Sequence, residues 1–151
     1  MVGYSAECDP ENSAKAIGKE LNISPKKSME LCREIRGMHV EDAKEYLEEV
    51  IKMRRVVPFK RYNRDVPHRK GKGMMSGRYP VKVAKAILEV IESAEHNAEY
   101  KGLDSGNMRI AHIAASRGRV FEGRIPRARG RATQWNEETT NIEIILEELE
   151  E

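Results

Sequence analysis

Two segments patterned like strands, Met108–Ser116 and Trp135–Leu146, flank the stretch Gly118-Arg-Val-Phe-Glu-Gly-Arg-Ile-Pro-Arg-Ala-Arg-Gly-Arg-Ala132. From Arg117 to Arg131 the chain carries six arginines, no lysine and one acid. So many like charges cannot be buried together. A basic stretch between two strands reads as a hairpin arm projecting from a small folded body. With Ser116 and Gln134 as its base, nineteen residues extend outward. Half of them, at about 3.3 Å per residue, reach roughly 30 Å. Gly118, Gly123 and Gly130 give the backbone freedom near the ends and tip. Apolar side chains there are few, chiefly Val120, Phe121, Ile125 and Ala128, and a two-stranded ribbon is marginal in water. The arm is therefore expected to be mobile alone and to order against a polyanion. The planar arginine fork donates two hydrogen bonds at once, which suits phosphate.

A net charge of +2 hides an uneven distribution. The run Arg54–Arg78 holds nine Lys/Arg against Asp65 alone, a local charge of +8. The arm adds +5 and leaves −11 for the remainder. Two basic segments on an acidic remainder suggest a polyanion-binding face, the alternative being solvated surface. In the first run the candidate contacts are Arg55, Lys60, Arg61, Arg64, His68, Arg69, Lys70, Lys72 and Arg78. In the arm they are Arg117, Arg119, Arg124, Arg127, Arg129 and Arg131. RNA is the favoured partner. No helix-turn-helix, zinc finger or basic zipper is present to enter a DNA major groove, whereas a thin basic arm suits irregular RNA. Tyr62, Phe121 and Trp135 could stack on bases, though ordinary packing is the commoner use of each.

The rest of the chain supplies a body. Val2, Tyr4, Ala6 and Cys8 alternate with small and polar residues, which predicts a strand. Asp9-Pro10 predicts a short helix to about Leu21. Ser24-Pro25 starts another, with Met29, Cys32 and Ile35 on one face and Gly37 at its end. Ala43, Leu47, Val50 and Ile51 mark a third from about Val40 to Arg54. Residues 58–78 read as loop, and a loop of that length is usually functional. Pro80 opens the longest helix, with Ala84, Ile87, Leu88, Ile91, Ala94 and Ala98 as a core stripe and Gly102 at its end. Ile142, Ile144 and Leu146 alternate with Glu143, Ile145 and Glu147 in the last strand. Helices cluster early and strands lie at both ends. The expected fold is α+β, one domain of 151 residues with a small antiparallel sheet packed against helices.

Several functions lack their residues. Cys8 and Cys32 are too few and too distant for a disulfide framework or a Cys-x-x-Cys site, and read as buried free thiols. No apolar run resembles a signal peptide or a membrane helix, so a soluble, cytoplasmic protein without a membrane partner is expected. Gly71-Lys-Gly-Met-Met-Ser-Gly77 lacks the Gly-Lys-Ser/Thr of a nucleotide-cradling loop, and no cofactor or small-molecule substrate is expected. A nuclease would need an acid/base pair or a metal beside the basic groove. Asp65 and Glu122 are the only carboxylates inside the basic runs, and His39, His68, His96 and His112 have no metal-ligand spacing. His112 reads as packed or RNA-facing. Glu143, Glu147, Glu148 and Glu150 read as a solvated acidic tail.

Pro126-Arg-Ala-Arg-Gly-Arg-Ala132 followed by Thr139-Thr-Asn-Ile-Glu-Ile-Ile-Leu146 closely resembles the carboxy-terminal signature of a large-subunit ribosomal protein family, the twenty-second in bacterial numbering. Ser24-Pro-Lys-Lys27, Ile35-Arg-Gly37, Val40 and Ala43 resemble its helical signature, and Ser93-Ala94 with Asn97-Ala98 its long-helix signature. The resemblance implies a compact body on the subunit surface and a hairpin threading ribosomal RNA to the peptide exit tunnel. It implies neighbouring ribosomal proteins as partners, and the nascent peptide as a further one. Pro126, Arg127, Ala128, Arg129 and Gly130 match the hairpin-tip motif. Arg127, Arg129 and Arg131 inherit RNA contact, as do Lys26, Lys27, Arg33 and Arg36. The extra basic loop at 58–78 and the acidic tail resemble the archaeal and eukaryotic branch, so the loop's RNA role rests on charge alone. The rival is an RNA-binding regulatory protein outside the ribosome.

If about six arginines engage phosphates, the log–log slope of RNA affinity against salt is expected at roughly −4 to −5. Filter binding across a salt series measures it, and a slope near zero would refute phosphate contact.

Overall fold

The structure, a computed structural model, describes residues 3–71 and 74–149. In chain order the elements are β1 (Ser13–Leu21), α1 (Pro25–Ile35), α2 (Val40–Ile51), β2 (Val57–Pro58), β3 (Gly77–Arg78), α3 (Val81–Lys101), β4 (Met108–Phe121), β5 (Arg124–Arg127), β6 (Arg131–Gln134) and β7 (Glu137–Glu148). A 3-10 turn at Ser105–Asn107 precedes β4. The main sheet is antiparallel in the order β1-β7-β4. Ile142, Ile144 and Leu146 of β7 pack on one face against α1 and α3, and α2 packs on α3 as an outer layer. The fold is α+β, as the distribution of helices and strands implies.

The helices begin and end where their chemistry dictates. Pro25 occupies the first turn of α1, where its missing N–H costs nothing. Leu31, Cys32 and Ile35 face inward. Burial pushes the Cys32 thiol up to about 12, so it stays protonated. Cys8, expected to be buried, is half-buried beside the Ser13 hydroxyl. After α1, Gly37 N–H donates to the Ile110 carbonyl and Ile110 N–H to the Met38 carbonyl, each at 2.9 Å, tying the α1–α2 turn to β4. α2 carries Glu41 and Asp42 in its first turn, where the helix dipole favours them. α3 buries Ala84, Ile87, Ile91, Ala94 and Ala98 as the stripe predicts, with Val83 and Val90 in addition and Leu88 partly covered.

The first twenty-one residues differ from the sequence expectation. Residues 3–8 form no strand, and Val2 lies outside the described residues. Instead of a helix after Asp9-Pro10, Ser13–Leu21 is β1. Its Ala and Lys content favours helix locally, but the open edge of β7 supplies a full ladder from Ser13↔Glu147 to Leu21↔Thr140. Ala14 and Ala16 are the buried half of a period-two pattern too small to stand out. α3 lies across this strand, Asn97 donating to the Lys15 carbonyl at 2.9 Å and Lys101 Nζ to the Ser13 carbonyl at 2.7 Å. In β4 the register shifts between Ile110 and His112. That bulge breaks strict alternation and brings both Ile110 and Ile113 to the core.

Glu143 is not part of a solvated tail. It is buried, accepts the Ser5 N–H at 3.1 Å and the Ser5 hydroxyl, and lies 3.0 Å from His112 Nε2. Burial alone would raise its carboxyl, yet the Ser5 and His112 hydrogen bonds outweigh it and hold the group below the usual carboxylate range. Glu147 pairs with Arg109 at 3.2 Å, and Glu148 accepts the Asp104 N–H at 3.3 Å. Glu150 lies outside the described residues.

Ile87→Ala removes a fully buried side chain from α3. It is expected to cost about 2–5 kcal/mol in denaturant unfolding. A loss inside the roughly ±0.5 kcal/mol of a surface change would contradict this core assignment.

Candidate nucleic-acid interface

The arm grows directly out of the sheet. The β4–β7 ladder continues past Ser116↔Asn141 to Phe121↔Glu137. A second ladder, Arg124↔Gln134 to Arg127↔Arg131, carries the chain to its tip. Gln134 therefore faces Arg124, and Asn141 faces Ser116, which lengthens the arm beyond the expected span. From Ser116 to Arg129 the nearly extended chain has a contour on the order of 40 Å at about 3.3 Å per residue.

Two glycines occupy the joints. At Gly118, within the register shift between Arg117 and Val120, a Cβ would lie 2.5 Å from Thr139 Oγ1, the hydroxyl that donates to the Arg119 carbonyl at 2.7 Å. At Gly123 a Cβ would lie 2.4 Å from the Trp135 carbonyl oxygen, and Trp135 N–H donates to the Gly123 carbonyl at 2.7 Å. The sequence suggested flexibility at these positions. The structure shows that they also permit close approach, of the Thr139 hydroxyl at Gly118 and of the Trp135 backbone at Gly123.

Arg117, Arg119, Arg124, Arg127, Arg129 and Arg131 are all exposed. Among the described residues none of the six forms an ion pair. Arg119 lies 5.5 Å from the Phe121 ring, and Arg127 Nε donates to Thr133 Oγ1 at 3.4 Å. Arg127 and Arg131 are direct cross-strand partners, a like-charge pairing that destabilises a ladder unless an anion intervenes. Pro126 pairs with Ala132, and Ala128-Arg129-Gly130 makes the turn. Arg129 adopts φ 62°, a left-handed conformation that costs an ordinary residue about 1–2 kcal/mol. Ordinary packing fails for two of the three aromatics. Phe121 is 50% exposed and Trp135 62%, while Tyr62 is half-buried.

The basic loop is organised differently. β2 and β3 clasp its ends, Val57↔Arg78 and Pro58↔Gly77, so residues 57–58 and 77–78 are strand and not loop. Many of its cations are neutralised locally. Arg55 pairs with Glu49 at 3.2 Å and sits 4.5 Å from the Tyr46 ring, Lys60 pairs with Glu34 at 2.9 Å, and Arg64 lies 3.7 Å from Asp65. Arg69 lies 5.5 Å from the Tyr79 ring, His68 bridges Ser76, and Arg78 Nη2 donates to the Asp65 carbonyl at 3.1 Å. Arg61 and Lys70 are exposed, and Lys72 lies outside the described residues.

On α1, Lys26 is exposed 5.8 Å from the Tyr62 ring. Lys27 lines a cleft with Tyr79 and Lys82 where the N-termini of α1 and α3 meet Asn136, Glu137 and Glu138 of the arm. Arg33 is 3.7 Å from Glu30, and Arg36 Nη2 donates to the Ile113 carbonyl at 2.8 Å. Two participants escape sequence reading. Glu30 is buried by a loop thirty residues away, which no local pattern signals. Lys19 shares a cleft with Arg117, Arg119 and Asn141 only because residues 13–21 are a strand. No group of three or more His, Cys, Asp or Glu suited to a metal occurs among the described residues, and no helix there is long and apolar enough to cross a membrane.

The family described as ribosomal protein L22p/L17e matches residues 16–147, body and arm together. The chain belongs to that family. Its relatives include large ribosomal subunit protein uL22 of Methanococcoides burtonii, 54% identical over 148 residues that cover 98% of this chain and 97% of that one. The uL22 protein of Methanocella arvoryzae is 51% identical, with 98% and 97% covered. That of Methanopyrus kandleri is 54% identical, with 94% and 91% covered. The likeness spans both basic segments, and this member is of the archaeal type.

Gly123→Ala forces a side chain onto the Trp135 carbonyl, an overpacking expected to cost about 1–3 kcal/mol within the arm. Amide resonances of residues 124–134 should move while those of 142–146 and the thermal midpoint stay. Unmoved arm resonances would show that the joint tolerates a Cβ.

Proposed function

We propose that the chain is a structural constituent of the large ribosomal subunit. In this reading it binds ribosomal RNA, stabilises its assembled form, and extends its hairpin to the wall of the peptide exit tunnel. Family membership supports the ribosomal role and argues against an enzyme. The observation that carries the RNA reading is the arm itself: six exposed arginines with no carboxylate partner among the described residues, two of them held opposite one another. Phosphates are the anions that resolve this arrangement. Each guanidinium can bind one bidentately, and a thin ribbon can bridge RNA segments that otherwise repel. Arg129 supports the tip assignment. A strained left-handed residue is tolerated where its side chain is needed, and here it puts a guanidinium at the apex.

Pro126, Arg127, Ala128, Arg129 and Gly130 are the residues we assign to the tunnel wall, with the nascent peptide passing beside them. Neighbouring ribosomal proteins are the further partners, and the exposed Trp135 and Phe121 at the arm's elbow are available to them or to RNA bases. The cations of the loop and of α1 form a secondary RNA-facing set, weaker in net charge because Arg33, Arg55, Lys60 and Arg64 already have acidic neighbours.

Replacing Arg127, Arg129 and Arg131 together by Ala is expected to reduce co-sedimentation with large subunits after a salt wash and to leave helical circular dichroism unchanged. Wild-type retention by the variant would overturn the arm's role. Wild-type protein that binds RNA yet never migrates with large subunits would favour the regulatory rival.

A further inference from the structure

The buried carboxylate of Glu30 organises a cleft on the body, remote in sequence from the arm. Glu30 is 1% exposed. Its oxygens accept three successive backbone N–H groups, from Lys60 at 3.2 Å, Arg61 at 2.7 Å and Tyr62 at 2.6 Å. This pins the start of the basic loop to α1 and spends most of the carboxylate's acceptor capacity on backbone. The same contact places Arg61 and Tyr62 beside Arg33 and Arg36, with Ala114 and Ala115 of β4 completing a cleft of about 200 Å³. Arg36 is held by one bond to the Ile113 carbonyl, which leaves most of its five donors unspent. Arg33 is only loosely engaged with Glu30 at 3.7 Å.

Three guanidinia thus share one cleft with a single carboxylate already committed to other donors. Solvation alone would let three mobile arginines spread apart. Here a position in α1, the residue that caps that helix and a clamped loop hold their backbones together, which preorganises them for an anion with several acceptor oxygens. The small side chains at 114 and 115 leave room for it. We infer that this cleft is a phosphate site independent of the arm. It takes a backbone phosphate of a non-helical RNA strand, because a recess between a helix and a loop admits one strand and excludes a duplex. Glu30 is its positioning residue, acting through Arg61. The inference rests on the RNA-binding reading above and assigns it a second anchoring point.

The test is filter binding of the full chain to protein-free large-subunit ribosomal RNA across a salt series. Arg33→Ala and Arg61→Ala should each weaken binding and lower the magnitude of the salt slope by about one. Glu30→Gln should reproduce the Arg61→Ala loss, and the double variant should be no weaker than Glu30→Gln alone. A purely structural Glu30 would lower stability and leave the slope as it was. If Glu30→Gln unfolds, the two arginine variants decide. Unchanged slopes for both, with arm-dependent binding intact, overturn the cleft and spare the ribosomal reading. Wild-type protein with no salt-dependent RNA binding sinks that reading as well.

Discussion

The pairing of β4 with β7 runs without a break in direction from Met108↔Glu148, under the helices, to Phe121↔Glu137 in solvent. One end of this ladder is stabilised by the core, where Met108, Ile110, Ile113, Ile142, Ile144 and Leu146 are wholly buried. The other end has almost nothing apolar to bury, since a two-stranded ribbon has no third layer. Burial at the near end is therefore what sets the direction and register of the far end. The two joints keep the ribbon's strands paired because a side chain at either would have held them apart: a Cβ at Gly118 would meet the Thr139 hydroxyl and one at Gly123 the Trp135 carbonyl.

Charge is divided along the same line. The body neutralises much of its own positive surface through Glu30, Glu34, Glu49 and Asp65, so the loop and α1 carry less free charge than their composition suggests. The arm does not. Its arginines lean on an aromatic ring or a threonine at best. A body that is internally balanced folds on its own terms. The arm's six arginines keep their charge available to an anion from outside the chain.

The sequence discloses the arm, the helices and the sheet's last two strands, because each rests on a strong local signal: an arginine run, Pro and Gly at helix ends, alternating Ile and Glu. It misleads where local preference and tertiary opportunity disagree. Ser13–Leu21 has the composition of a helix and becomes a strand because it pairs with the edge of β7 that β4 leaves open. Glu143 has the look of a tail residue and is instead a buried hydrogen-bonding hub, since Ser5 and His112 come to it from remote parts of the chain. Glu30 is the same lesson at the candidate site. Its three backbone partners lie thirty or more residues away, and nothing within a helical turn of it foretells them. Trp135 and Phe121 stand exposed because the arm has no interior to receive them.

Strand β7 is the centre of the sheet and follows in sequence everything it pairs with. A ribosome making this chain releases β1 first and β4 later, each with a bare edge and no neighbour to join. Only when residues 137–148 emerge can both edges close, in one late event that links the two ends of the domain. Contacts so distant in sequence are slow to form. Until then the nascent molecule exposes strand edges of the kind that invite aggregation.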